Sequence, residues 1–169
     1  MCRTANGFDI NGFGQLKDGR GNIAPVTIIL PTLAMKAKLN QSDNIIDCFM
    51  HILDVKLYEA RDMLIERFDW ICSQSSDSAK FMYENSTMTG YIPEEGIRSA
   101  LKHGTLAVGQ LGLAESLQIL IGKDHTTEEG MELAIKIESL FSKRCKEFKE
   151  EYKLNFGVYY TPRGYLWAA

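Results

Sequence analysis

Apolar residues recur at three- and four-residue steps over two long stretches of this chain. In the first, Ile45, Phe49, Ile52, Leu53, Leu57, Ala60, Leu64, Phe68 and Ile71 fall on one stripe. That spacing predicts a helix over 43–73, with Ser42 or Asp43 as its cap. In the second, Met131, Ala134, Ile137, Phe141, Cys145, Phe148 and Tyr152 repeat the pattern. Thr126 with Glu129 offers a capping box there, so a helix is predicted over 126–153. Residues 23–30 are different: a continuous apolar, β-branched run that suits a strand covered on both faces, as in a parallel sheet or barrel. Pro31 ends that strand because it cannot donate to a ladder. Two further strands are predicted at 105–109 and 156–160. Shorter helices are predicted at 77–84 and 97–103, and another runs from Gly112 to a stop at Gly122. Ahead of them all, residues 5–22 form a long loop with glycines at 7, 12, 14, 19 and 21; a short hairpin fits around Asp18-Gly19. Strands alternating with helices spell an α/β fold with parallel crossovers.

Composition narrows the class without choosing a function. The chain has 169 residues, 45% hydrophobic and 24% charged, which suits one folded domain rather than disorder. A formal net charge of -3 gives no general reason to expect nucleic-acid or anionic-membrane binding. No apolar run approaches the roughly 18–20 residues that span a bilayer, and no signal-peptide pattern opens the chain. Cys2, Cys48, Cys72 and Cys145 form neither a C-x-x-C pair nor a Cys/His group, so neither a zinc site nor a disulfide framework is expected. A reducing, cytoplasmic setting follows.

Read singly, the candidate chemical residues are ambiguous. Cys2 is a lone cysteine with no assignable base or helix start beside it, which gives nucleophilic chemistry little support. Asn22 closes a turn-rich segment and reads as a strand-entry asparagine. The stretch from Gly104 to Glu115 turns from strand to helix through Gly109 and Gly112. It contains neither G-x-G-x-x-G nor a P-loop, so close strand–helix packing is as good a reading as ligand binding. Glu115 reads as a favourable anion in a helix's first turn. Lys143, Arg144 and Lys146, interleaved with glutamates toward Lys153, read as a solvated helix face. His51, His103 and His125 show no ligand spacing.

A wider comparison of motifs changes this picture. The segment Met1-Cys2-Arg3-Thr4, the glycine-rich loop and Gly21-Asn22-Ile23 running into the first strand together resemble the active-site loop and barrel strand of anaerobic (class III, glycyl-radical) ribonucleoside-triphosphate reductases. The stretches GTLAVGQLGLAE, IGKDHTTEEGMELA and EFKEEYKLNFGVYYTP are similar to the same family, so the likeness runs almost from Cys2 to Pro162. The resemblance implies part of a ten-stranded α/β barrel over 1–162, followed by a divergent tail over 163–169. It implies that Cys2 carries a thiyl radical and that Asn22 lies near the ribose hydroxyls, where an amide can both donate and accept.

The same resemblance implies a glycyl radical supplied from a region outside this chain, with formate or a dithiol as reductant. Its partners would be the ribonucleoside triphosphate substrate, the remainder of the reductase as a homodimer, and a radical-SAM activating enzyme. The family's zinc site has no counterpart here. Two departures stand out: Met1 replaces the family's glycine before the cysteine, and the tail Arg163-Gly164-Tyr165 lacks the cysteine that accompanies the family's radical glycine. The chain is therefore expected to be an internal piece, inactive alone and prone to self-associate through strand edges. A formate-lyase-type glycyl-radical barrel stays open as an alternative, although Arg3 stands where a second adjacent cysteine would be expected. A non-catalytic truncated or interaction fragment stays open as well.

Overall fold

A computed structural model describes residues 7–40 and 43–160. Cys2 and the tail over 163–169 lie outside the described residues. Three strands, β1 (Asn22–Ile29), β2 (Thr105–Leu111) and β3 (Asn155–Tyr160), form one parallel sheet in that order. The predicted strands and their parallel sense match this within two residues at each end. Alternation along the strands gives the sheet two faces. Ala24, Val26 and Ile28 share one face with Leu106, Val108, Phe156 and Val158 and pack into the main hydrophobic core. Pro25, Thr27, Ala107, Gly109, Gly157 and Tyr159 occupy the opposite face.

The helices cover the first face. They are α1 (Leu30–Leu39), α2 (Ile45–Cys72), α3 (Lys80–Glu84), α4 (Arg98–Leu101), α5 (Leu113–Ile121) and α6 (Glu128–Tyr152). In α2 the buried stripe is Phe49, Leu53, Leu57, Ala60, Leu64 and Phe68, the centre of the predicted one. In α6 it is Leu133, Ala134, Ile137, Phe141, Cys145 and Phe148, while Met131 is exposed. The caps fall one or two residues from expectation. Asn44 accepts from the Asp47 amide (3.2 Å), and Thr127 accepts from the Gly130 amide (3.1 Å).

Three local expectations need correction. Helix α1 is absent from the sequence reading, which took Pro31 only as a strand terminator. Proline at the first turn of a helix loses no hydrogen bond, because that amide has no helical acceptor. Leu30, Leu33, Ala34 and Ala37 then bury one face. The antiparallel bridge in the leading loop joins Asp9 to Gly14, and Lys17 to Arg20 is only a turn. Arg144 does not belong to a solvated face. It donates to both oxygens of Asp54 on α2, from Nε at 2.6 Å and Nη2 at 2.8 Å, and to Glu147 at 2.5 Å. Its hydrogen bonds to Asp54 and Glu147 raise its pKa still further, so the clamp between the two long helices stays charged.

Among the described residues, no helix is long and apolar enough to cross a membrane.

Candidate active site

One irregularity decides where Asn22 points. Asn22 pairs with Thr105, but Ala24 pairs with Leu106, so the register slips by one residue at Ile23. Simple alternation would put Asn22 with Ala24 on the helix-covered face. The bulge moves it into the row of Thr105 and Asn155, on the opposite face. Ile23 packs against the core. Asn22 is half-buried at the amino end of the sheet, on the face away from the helices.

That face is kept low by small residues. Ala107 and Gly109 occupy the middle strand, and Gly157 sits beside them on β3. The Tyr159 ring lies across Gly109, and its hydroxyl meets the Thr27 hydroxyl on β1. A Cβ on Gly109 would come within 2.4 Å of that ring. Gly109→Ala is therefore expected to displace Tyr159 and cost about 1–3 kcal/mol, read as a lower melting temperature. Gly112 has φ of 82°, and a Cβ there would sit 2.5 Å from Pro31. Close packing thus accounts for both glycines of the strand-to-helix turn. Glu115 is exposed in the first turn of α5, as its anionic-cap reading expects.

At the amino ends of the strands the leading loop is held by a buried polar cluster that the sequence reading missed. Asp9 is 1% exposed, His103 4% and Asn155 2%. One Asp9 oxygen, Oδ1, accepts from Asn155 Nδ2 (2.7 Å) and from the Asn11 amide (2.9 Å). The other, Oδ2, pairs with His103 Nδ1 (2.8 Å) and accepts from the Phe13 amide (3.0 Å). Burial alone would push the Asp9 carboxyl up. The hydrogen bonds from Asn155, His103, Asn11 and Phe13 outweigh it and hold the pKa at about 2. An ionised carboxylate has no proton to give, so His103 carries one on Nδ1.

The remaining contacts tie the loop to all three strands. Asn155 Oδ1 accepts from the Ile10 amide (3.0 Å), and Asn11 donates to the Lys102 carbonyl (3.0 Å). Phe13 stacks on the His103 ring, with centroids 3.9 Å apart. Arg20 donates to the His103 carbonyl (2.6 Å), and the Gly21 carbonyl accepts from the Thr105 amide (2.9 Å). His103 is thus not an incidental helix-end histidine; His51 is exposed on α2 and His125 half-buried before α6.

Cys145 and Cys72 are poor nucleophiles. Burial pushes the Cys145 thiol up to about 12, and burial also raises Cys72, with Asp69 adding to the effect and Arg98 opposing it. Both stay protonated at neutral pH. Among the described residues, no group of three or more His, Cys, Asp or Glu side chains is placed to hold a metal ion.

Comparison with known proteins places this arrangement. A family model described as "Anaerobic ribonucleoside-triphosphate reductase" matches residues 1–164. The reductase of that name from Escherichia coli is 26% identical over 167 residues, covering 95% of this chain and 23% of that protein. The Haemophilus influenzae protein is 26% identical over 166 residues, again covering 95% and 23%. The chain therefore spans about a quarter of the length of these relatives. Its fold is similar to that of the anaerobic ribonucleotide reductase from Thermotoga maritima crystallised with citrate in the active site. The TM-score is 0.68 at 18% identity, covering 87% of this chain and 25% of that one. The same enzyme with glycerol in its active site gives a TM-score of 0.67 over 91% and 23%.

Proposed function

The chain belongs to the anaerobic ribonucleoside-triphosphate reductase family, and from that premise we propose that it supplies part of the catalytic barrel that converts ribonucleoside triphosphates to deoxyribonucleotides. The observation that carries this reading is the family match over residues 1–164, supported by the shared fold of the parallel sheet and its helices. In this reading residues 1–162 contribute β1, β2 and β3 to a ten-stranded barrel, residues 163–169 form a divergent tail, and the protein works in the cytoplasm. The remaining strands, the homodimer partner and a radical-SAM activating enzyme complete the system.

Cys2 and Asn22 divide the work on the ribose. A glycyl radical housed outside this chain supplies the one-electron oxidation of the Cys2 thiol. Cys2 then takes the ribose 3′ hydrogen and later returns it. The S–H bond suits this because its strength is close to that of an activated ribose C–H bond, so transfer in either direction is nearly balanced. Asn22 lies on the inner face at the mouth of the sheet and hydrogen-bonds the ribose hydroxyls, of which the 2′ leaves as water. Formate or a dithiol supplies the reducing equivalents.

The test is anaerobic turnover by the reductase that contains this chain, with its activating enzyme. Cys2→Ser should abolish deoxyribonucleotide formation, and Asn22→Ala should raise KM or lower kcat/KM by about tenfold or more. The isolated 169-residue chain should form no product. Product formation by the Cys2→Ser enzyme would overturn the assignment of Cys2.

A further inference from the structure

We propose that Asp9, His103 and Asn155 form a positioning latch for the active-site loop, so that the carboxylate of Asp9 sets the geometry of the ribose chemistry without touching the substrate. This inference rests on the reading of Cys2 and Asn22 given above. The loop is the only chain path between these two residues, and Asp9 lies seven residues after Cys2 and thirteen before Asn22. Loops carrying reactive groups need an anchor, because a displacement of about 1 Å at a reacting centre can cost on the order of 100-fold in rate.

The cluster is built as such an anchor. Asp9 accepts from two loop amides, Asn11 and Phe13, and thereby folds the loop around its own carboxylate. His103, just after α4, and Asn155, at the start of β3, fasten that carboxylate to the two strands beyond β1. Asn155 then returns a hydrogen bond to the loop at Ile10. Arg20 repeats the connection at the far end of the loop by donating to the His103 carbonyl, three residues before the bulge at Ile23 that sets the facing of Asn22. Lys102 and His103 therefore receive both ends of the loop, from Asn11 and Arg20.

The carboxylate has no substitute at this point. Both Asp9 oxygens accept two hydrogen bonds, so an asparagine must aim its NH₂ group at two donors whichever way the amide turns. His103 can be replaced more gently. The Nδ2 group of an asparagine can occupy the position of His103 Nδ1 and donate to Asp9, although it loses the stacking on Phe13. Leucine removes the donor altogether.

Five forms of the reductase containing this chain test the latch: wild type, Cys2→Ser, Asp9→Asn, His103→Asn and His103→Leu. For each, the glycyl radical content after activation is measured by EPR, with the melting temperature, kcat and KM for the ribonucleotide. Asp9→Asn and His103→Leu should lower kcat by tenfold or more, with normal radical content and KM within about threefold. His103→Asn should recover most of kcat. Asp9→Asn lowers the melting temperature in either case, so radical content decides: a structural role alone would lower radical content together with kcat, and that result would overturn the latch. Wild-type kcat in Asp9→Asn would overturn it too, as would equal losses in His103→Asn and His103→Leu. If the wild-type and Cys2→Ser enzymes turn over alike, the underlying assignment of Cys2 has failed instead. If Cys2→Ser is dead and Asp9→Asn is normal, only the latch has failed.

Discussion

Phe148→Ala is expected to lose about 3–5 kcal/mol of stability, the usual range for deleting a buried phenylalanine. The site is unfavourable for collapse because three separate elements meet at this ring. Tyr58 of α2 approaches it edge-on at 5.4 Å, and Phe156 of β3 does so at 5.6 Å. The Arg61 guanidinium carbon lies 5.5 Å from the ring centroid and 4.9 Å from that of Tyr58. Removing the ring leaves a cavity between rigid helices and also removes two aromatic pairs and a cation–π contact. Phe148→Leu keeps most of the volume and should cost only about 1–2 kcal/mol. Urea unfolding of both variants checks this, and equal losses would show that aromatic geometry, rather than volume, dominates. The consequence reaches the site, because Phe156 seats β3, and β3 carries both Asn155 and Tyr159.

The framework around Phe148 was legible because its signals are local. Phe141, Cys145 and Phe148 repeat at helical steps on α6, and Phe49 to Phe68 do so on α2. Burial of such stripes follows from period alone. The parallel sense of the strands was legible too, since residues 23–30 run apolar without polar alternation, the pattern of strands in parallel sheets; the expected cover on both faces is not seen here, where Pro25, Thr27 and Ile29 are exposed on the face away from the helices. Helix α1 was lost because Pro31 carries two opposite local meanings, the end of a strand and the start of a helix. Only packing against α2 and α5 selects the second.

The site was legible in a different way. Motif likeness singled out Cys2 and Asn22, but nothing in the order of residues showed that a bulge at Ile23 turns Asn22 to the face opposite the helices. The Asp9 cluster lay beyond reach for a physical reason. Asp9 and His103 are 94 positions apart, and Asp9 and Asn155 are 146 apart. No period or short spacing links them. A faint signal existed: each is a polar residue set beside a predicted strand or turn, where burial would force it to find partners. Arg144 escaped similarly. Its neighbours on α6 are alternating charges, and the carboxylate that fixes it, Asp54, comes from another helix.

The Asp9 cluster also makes a prediction about the sign of a pH dependence. In the wild type, Asp9 falls from its ordinary value of 3.8 to about 2 on folding. A carboxyl depressed in this way stabilises the native state above its unfolded pKa, by roughly 2 kcal/mol here. That contribution is lost as the pH falls from about 4 through 2, so wild-type stability declines in this window. Asn155→Asp should reverse the slope. The substitution removes the donor 2.7 Å from Asp9 Oδ1 and places a second carboxylate there, in a buried site. At neutral pH the expected cost is about 3–5 kcal/mol, since one charge loses its partner and meets a like charge. Two adjacent carboxyls share a proton, which raises the apparent pKa of one above its unfolded value. The native state of the variant then binds more protons than the unfolded state, and its stability rises as the pH is lowered through the ordinary carboxylate range. Unfolding curves collected between pH 7 and pH 3 should therefore converge for the two proteins from opposite directions. A variant whose stability fell in parallel with the wild type would mean that residue 155 does not face the Asp9 carboxylate, and the cluster holding the leading loop would have to be redrawn.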